Sequence, residues 1–142
     1  FNPMTIEMRK EKADQTKAQG NEEFKKGKYE LAISFYQIAW KHYESSILYS
    51  NIARCHLVNS ENFPEEMVKS HLDRCIESWA QALSLDSENI KAIIIMGDCS
   101  IKMAHNQLNP LFLEEAIQYY KYDSFINFLA RPSKSARTRK SL

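Results

Sequence analysis

Apolar residues recur along this chain at helical spacing. Between Ala13 and Trp40 the sequence reads ADQTKAQGNEEFKKGKYELAISFYQIAW. Gly20, Phe24, Gly27, Tyr29, Ala32, Ile33, Tyr36 and Ala39 fall where two short antiparallel helices need small and large residues. Gly20 and Ala32 are small enough to let the helices approach. Phe24, Tyr29 and Tyr36 fill the space around the crossing. Gly27 is expected to end the first helix, because glycine takes positive φ at little cost. That helix is expected to start at a Thr5 cap and run to Lys26. Its partner runs from Tyr29 to Tyr43.

The pattern then repeats with variations. Ile47, Leu48, Ile52, Ala53 and Leu57 predict a helix beginning at Ser46. The stretch from Ser60 to Pro64 reads as a break, since Pro64 can begin a helix but not continue one. The next helix, EEMVKSHLDRCIESWAQALSL, carries Cys75, Ile76, Trp79 and Ala82 on one face. A third unit begins near Asn89, with Gly97 in the place of Gly20. Asn109-Pro110 caps and starts a last helix, where Ala116, Ile117 and Tyr120 repeat Ala32, Ile33 and Tyr36. Asp123 breaks the repeat. Phe125, Phe128 and Leu129 suggest that the helix continues as a cap, as expected where a solenoid ends.

Composition narrows the function. The 142 residues carry a formal net charge of +1, which argues against a general nucleic-acid surface. The apolar run Ile93–Met96 is far too short to span a bilayer, so no membrane insertion is expected. Cys55, Cys75 and Cys99 are widely spaced within apolar helical pattern and read as small buried thiols, which implies a reducing compartment. No CxxC or Cys/His cluster suggests zinc, and no cofactor is expected. His42, His56, His71 and His105 lie on different predicted helices, and no Ser/His/Asp or Cys/His set stands out. No glycine-rich phosphate loop is present either, and an enzyme is not expected.

The GN..F..GKY..AI..Y..A spacing from Gly20 to Ala39 resembles the tetratricopeptide repeat (TPR), a helix–turn–helix unit of about 34 residues. The resemblance implies an all-α fold: three TPR units stacked as a right-handed α-solenoid with a C-terminal capping helix. The units span about 13–45, 46–88 and 89–130, with residues 1–12 extending the first helix and 131–142 forming a basic tail. About ten residues are inserted in the second unit relative to the ~34 of a standard one. A further insertion lies around His105 to Leu108.

A TPR groove is lined by the first helix of each pair. Lys17 and Asn21 are four apart and share a helix face. Leu48-Tyr49-Ser50-Asn51 matches the family's clamp segment, and Lys91 stands second in the third unit's first helix. Lys17, Asn21, Asn51 and Lys91 together resemble the two-carboxylate clamp of co-chaperone TPR domains. That resemblance implies a ligand: the acidic Glu-Glu-Val-Asp C-terminal tail of heat-shock protein 70 or heat-shock protein 90. Lysine supplies charge, and asparagine supplies oriented amide donors. Ile95 departs from the pattern, since many clamp domains carry Arg there. With Cys99 it is nearest to a CHIP-like TPR domain, although no U-box occurs in the chain and ligase activity is not implied. Ile94 or Ile95 is expected to give the groove an apolar wall for a ligand side chain, although Ile93 to Met96 also read as a buried helix turn in which Ile95 is core packing. Arg131–Lys140 is basic and lacks an acidic residue; it reads first as a solvated tail that keeps the cap soluble, and otherwise as a segment for nuclear import or for contact with an acidic partner or other subunits, beside a cytoplasmic location. The rival expectation is a TPR scaffold subunit of a larger assembly, without a chaperone-tail ligand.

Overall fold

The computed structural model describes residues 3–118, and within them the fold is all-α. Five helices are complete: α1 (Ile6–Lys25), α2 (Tyr29–His42), α3 (Ser46–Asn62), α4 (Glu65–Leu85) and α5 (Ile90–His105). Residues 111–118 are helical as well. The expected cap around Phe125–Leu129, the expected repeat residue Tyr120 and the basic tail lie outside the described residues.

Local chemistry sets the helix ends. The Thr5 hydroxyl accepts from the Met8 amide at 3.1 Å and starts α1. Gly27 sits at φ 78°. Around it the Lys28 amide donates to the Glu23 carbonyl and the Gly27 amide to the Phe24 carbonyl, closing the helix end with the paired bonds that a left-handed residue permits. Ser45 caps α3 and Asn89 caps α5 through their side-chain oxygens. Asn109 accepts from the Leu111 amide at 3.0 Å, as the Asn-Pro pair suggested.

The expected break from Ser60 to Pro64 is shorter than its composition implied. α3 runs on to Asn62, because the Ser60 hydroxyl donates back to the Leu57 carbonyl and Lys102 reaches across to Glu61. Only Phe63 and Pro64 separate the helices. The inserted residues thus lengthen α3 and α4 to 17 and 21 residues, against 14 in α2, and build no loop.

Each helix packs on its neighbours in the chain, and α3 also touches α5. Contacts passed from neighbour to neighbour make a solenoid of helical repeats. α3 is the centre. Leu48, Ile52 and Cys55 face a first core with Ala13, Ala32, Ile33, Tyr36 and Ala39. Ala53 and Leu57 face a second core built on Leu72, Cys75, Ile76, Trp79, Ile95 and Cys99. Burial of each large aliphatic or aromatic side chain stabilises the stack by about 1.5–3 kcal/mol. Cys55, Cys75 and Cys99 are free and fully buried, as the pattern suggested.

Polar bonds tie the second pair to the third. The Asn89 amide donates to Ser46 Oγ at 2.8 Å, and that hydroxyl donates to the Ala82 carbonyl at 2.7 Å. In the first pair Gly20 lies against the ring of Tyr36. Gly97, expected to repeat that role, has open space on that side: a Cβ there would meet nothing within 4 Å among the described residues outside its own helix backbone.

Candidate functional site

α1, α3 and α5, the first helices of the three pairs, meet along one depression of about 240 Å³. Asn21, Phe24, Lys25, Tyr36, Asn51, Arg54 and Lys91 line it. Three of these side chains are basic and none is acidic.

Two hydrogen bonds orient the amides. The Tyr36 hydroxyl donates to Asn21 Oδ1 at 2.7 Å. Burial, with Cys55 adding to it, pushes the Tyr36 pKa up to about 12, so the phenol keeps its proton and remains a donor. Lys91 Nζ donates to Asn51 Oδ1 at 2.5 Å. An ammonium has only donors, so it fixes which end of the Asn51 amide faces it. Both amide oxygens are thereby engaged. Neither amide nitrogen has a partner among the described residues, and each is left as a donor.

The cations crowd one another. The Lys91 pKa is lowered from the ordinary lysine value, first by burial and then by Arg54, with Lys17 acting in the same direction and Cys55 against it. Lys25 is paired with Glu22 at 3.3 Å. The Arg54 guanidinium lies over the Phe24 ring, 5.7 Å from the centroid, and makes no ion pair among the described residues. An anion entering here would meet Arg54 and Lys91, like charges held close with no carboxylate partner among the described residues.

The structure brings together Asn21, Asn51 and Lys91 from the expected set. Lys17 stands apart. It lines a neighbouring hollow with Lys10, Asp14 and Tyr43 and lies 3.8 Å from the Asp14 carboxylate, although its charge still acts on Lys91. The expectation for Ile95 is corrected: it is 1% exposed inside the second core and has no surface to offer a ligand. Its face of α5 is shared with Ala92 and Cys99, three residues before and four after it, both fully buried. Ile94 is 57% exposed but does not line the depression. Phe24 and Arg54 were missed. Each stands three residues after a chosen asparagine, on the same helix face, and that spacing was the available signal.

A larger cleft of about 610 Å³ lies between α2, α3 and α4. Its charges balance, Glu30 and Glu77 against Lys41 and Arg74, so it presents no single sign to a ligand.

Over 124 residues the chain is 27% identical to a protein of Rattus norvegicus named peptidyl-prolyl cis-trans isomerase FKBP4, a match covering 82% of this chain. The chain spans 27% of that relative's length. No family model matches the chain, and no solved structure matches it. The all-helical repeat architecture and this similarity fit a TPR-like fold.

Proposed function

We propose that this chain is a TPR co-chaperone-type binding module that docks the acidic C-terminal tail of heat-shock protein 70 or heat-shock protein 90. One observation carries the reading. Three separate helices deliver Asn21, Asn51 and Lys91 to a single depression whose charged side chains are all basic. A chain end of the Glu-Glu-Val-Asp kind offers closely spaced carboxylates. Lys91 would supply charge and the two amide nitrogens oriented donors. Charge-assisted bonds of this type contribute about 1.5–3 kcal/mol each. A bound carboxylate would also offset the burial, and then the repulsion from Arg54, that lower the Lys91 pKa. Lys17 joins the reading as a nearby cation in the adjoining hollow.

The isomerase activity in the relative's name is no part of this proposal, because cations and amides gathered in this way are suited to holding a carboxylate. The proposal puts the module in a reducing compartment, the cytoplasm or the nucleus, in keeping with three free buried thiols. The scaffold reading draws on a different surface. Ile90, Ile94 and Ile101 are 71%, 57% and 69% exposed along α5, an apolar stripe that another subunit could cover.

Titration with a peptide ending in Glu-Glu-Val-Asp, beside the same peptide amidated at its C-terminus, decides between the two. The binding module loses tenfold or more in affinity on amidation, by roughly the worth of one charge-assisted bond. Equal weak binding of both peptides favours the scaffold.

A further inference from the structure

The reading above leaves two cations of the depression without a task, and of these Lys25 is paired with Glu22 while Arg54 is not. We propose that Arg54 is the site's second carboxylate-binding cation, supplied by α3, and that it takes a side-chain carboxylate of the same acidic peptide whose terminal carboxylate meets Lys91, Asn21 and Asn51. The inference rests on the peptide-site reading and deepens it.

Position comes first. Arg54 stands three residues after Asn51 on α3, so the two share a helix face, and both line the depression. A ligand carboxylate held at Asn51 therefore brings its neighbouring residues toward Arg54.

Orientation comes second. The guanidinium lies over the Phe24 ring, 5.7 Å from its centroid. A cation over an aromatic face is attracted by the ring without spending a conventional hydrogen bond on it, so the guanidinium N–H groups stay open to an acceptor. Those groups form the planar fork that matches two carboxylate oxygens. Phe24 thus steadies the donor without consuming it.

Availability comes third. Lys25 has Glu22 and Lys17 has Asp14, whereas Arg54 and Lys91 have no carboxylate partner among the described residues. These two cations lie close enough for Arg54 to disfavour the charged form of Lys91. Like charges kept together without an anion between them suit a ligand that brings two carboxylates. α5 offers no alternative donor one turn on from Lys91, because Ile95 is buried there.

The test uses Arg54→Met, which keeps length without charge, and Arg54→Lys, which keeps charge without the fork. Both are at an exposed helix position, and far-ultraviolet circular dichroism checks that the helical signal is kept. Three probes are titrated: a peptide ending in Glu-Glu-Val-Asp, the same peptide amidated, and a free-acid peptide ending in Gln-Gln-Val-Asn. Arg54→Met is expected to weaken the first peptide by about tenfold or more. It should leave the Gln-Gln-Val-Asn peptide as the unaltered protein binds it. Arg54→Lys falls between, since an ammonium cannot fork. If Arg54→Met binds the acidic peptide normally while amidation still weakens it, the Arg54 assignment is wrong and the peptide site stands. Equal losses for acidic and amide-bearing peptides would overturn the side-chain assignment. Should the unaltered protein bind the free and amidated peptides alike, the peptide-site reading fails, and the role of Arg54 with it.

Discussion

Gly20 faces the Tyr36 ring so closely that a Cβ at position 20 would lie 2.7 Å from Tyr36 Cε1. The ring has little room to move away. Tyr36 is 2% exposed, and its hydroxyl is engaged with Asn21. Gly20→Ala adds helix propensity of about 1 kcal/mol but forces an overpacked contact costing about 1–3 kcal/mol. The expected net effect is destabilisation by about 1 kcal/mol, read from the urea midpoint. An unchanged or raised midpoint would show that the ring yields freely.

The same ring links the core to the candidate site. Tyr36→Phe keeps the packing and deletes the donor to Asn21 Oδ1. Stability should fall by about 0.5–1.5 kcal/mol, the net worth of one hydrogen bond. Asn21 also loses the bond that orients it, so affinity for the acidic peptide should fall severalfold. Retained affinity beside a lowered melting temperature would mean that Asn21 is not used by the ligand.

The architecture was legible because its signals are local. Pro64 and the Asn89 cap bracket α4, and Glu65–Leu85 is the helix the sequence predicted. Gly27 marks the first turn by the φ that only glycine takes cheaply. Part of the site was legible for a related reason: Asn21, Asn51 and Lys91 stand at fixed places within their units. Facing within α5 was not. Ile93 to Met96 are all apolar, and a run without polar residues does not say which member points inward. Ile95 lies in the core while Ile94 stays outside, because the packing of α4 against α5 decides between them. Arg54 was passed over for the opposite reason. A single arginine on an exposed helix face looks solvated until α1 brings Phe24 and Asn21 beside it.

Acid should weaken the fold through His56. The residue is 7% exposed, its Nδ1 lacks a partner among the described residues, and its ring centroid lies 6.0 Å from that of His71. Burial, then His71 and Arg74, lowers its pKa from 6.5 to about 4. The His71 pKa is lowered too, by burial and Arg74, with Glu30 opposing. A depressed folded-state pKa means that the unfolded chain binds the proton more tightly. The associated stability is therefore full above about pH 6.5 and is lost as pH falls toward 4, to a limit of about 3 kcal/mol for His56. Denaturant midpoints between pH 7.5 and 5 should fall in the unaltered protein. His56→Gln should flatten that slope, and parallel pH curves would rule this explanation out.

Asn51 and Lys91 test the depression by charge. Asn51→Asp places a carboxylate against the Lys91 ammonium that now donates to an amide oxygen at 2.5 Å. The internal ion pair raises the Lys91 pKa, removes one amide donor and sets a negative charge where a ligand carboxylate would sit. Peptide affinity should fall by tenfold or more, and further than in Asn51→Ala, which deletes the donor without adding repulsion. Thermal stability should hold or rise. Lys91→Ala and Lys17→Ala should both weaken binding, Lys17→Ala less because it lines the adjoining hollow, and added salt should narrow every difference. An Asn51→Asp variant that binds like the unaltered protein would place the ligand elsewhere.

Two neighbouring isoleucines separate core from surface. Ile95 is 1% exposed among the residues of the second core, and Ile94 is 57% exposed. Truncating Ile95 to Ala leaves a cavity that its packed neighbours fill only in part, a loss of about 2–5 kcal/mol. Truncating Ile94 to Ala should change stability by only about 0.5 kcal/mol or less. Affinity for the acidic peptide should stay unchanged in Ile94→Ala, because that side chain does not line the depression. Ile95→Arg distinguishes the sequence expectation from the structure most sharply. Read as a groove position, it would gain a forked donor and bind acidic peptides more tightly. Read as a core position, it forces a charge into an apolar interior and should abolish cooperative unfolding. Urea titration of Ile95→Arg, followed by circular dichroism, separates the two. A stable variant with increased peptide affinity would return Ile95 to the groove.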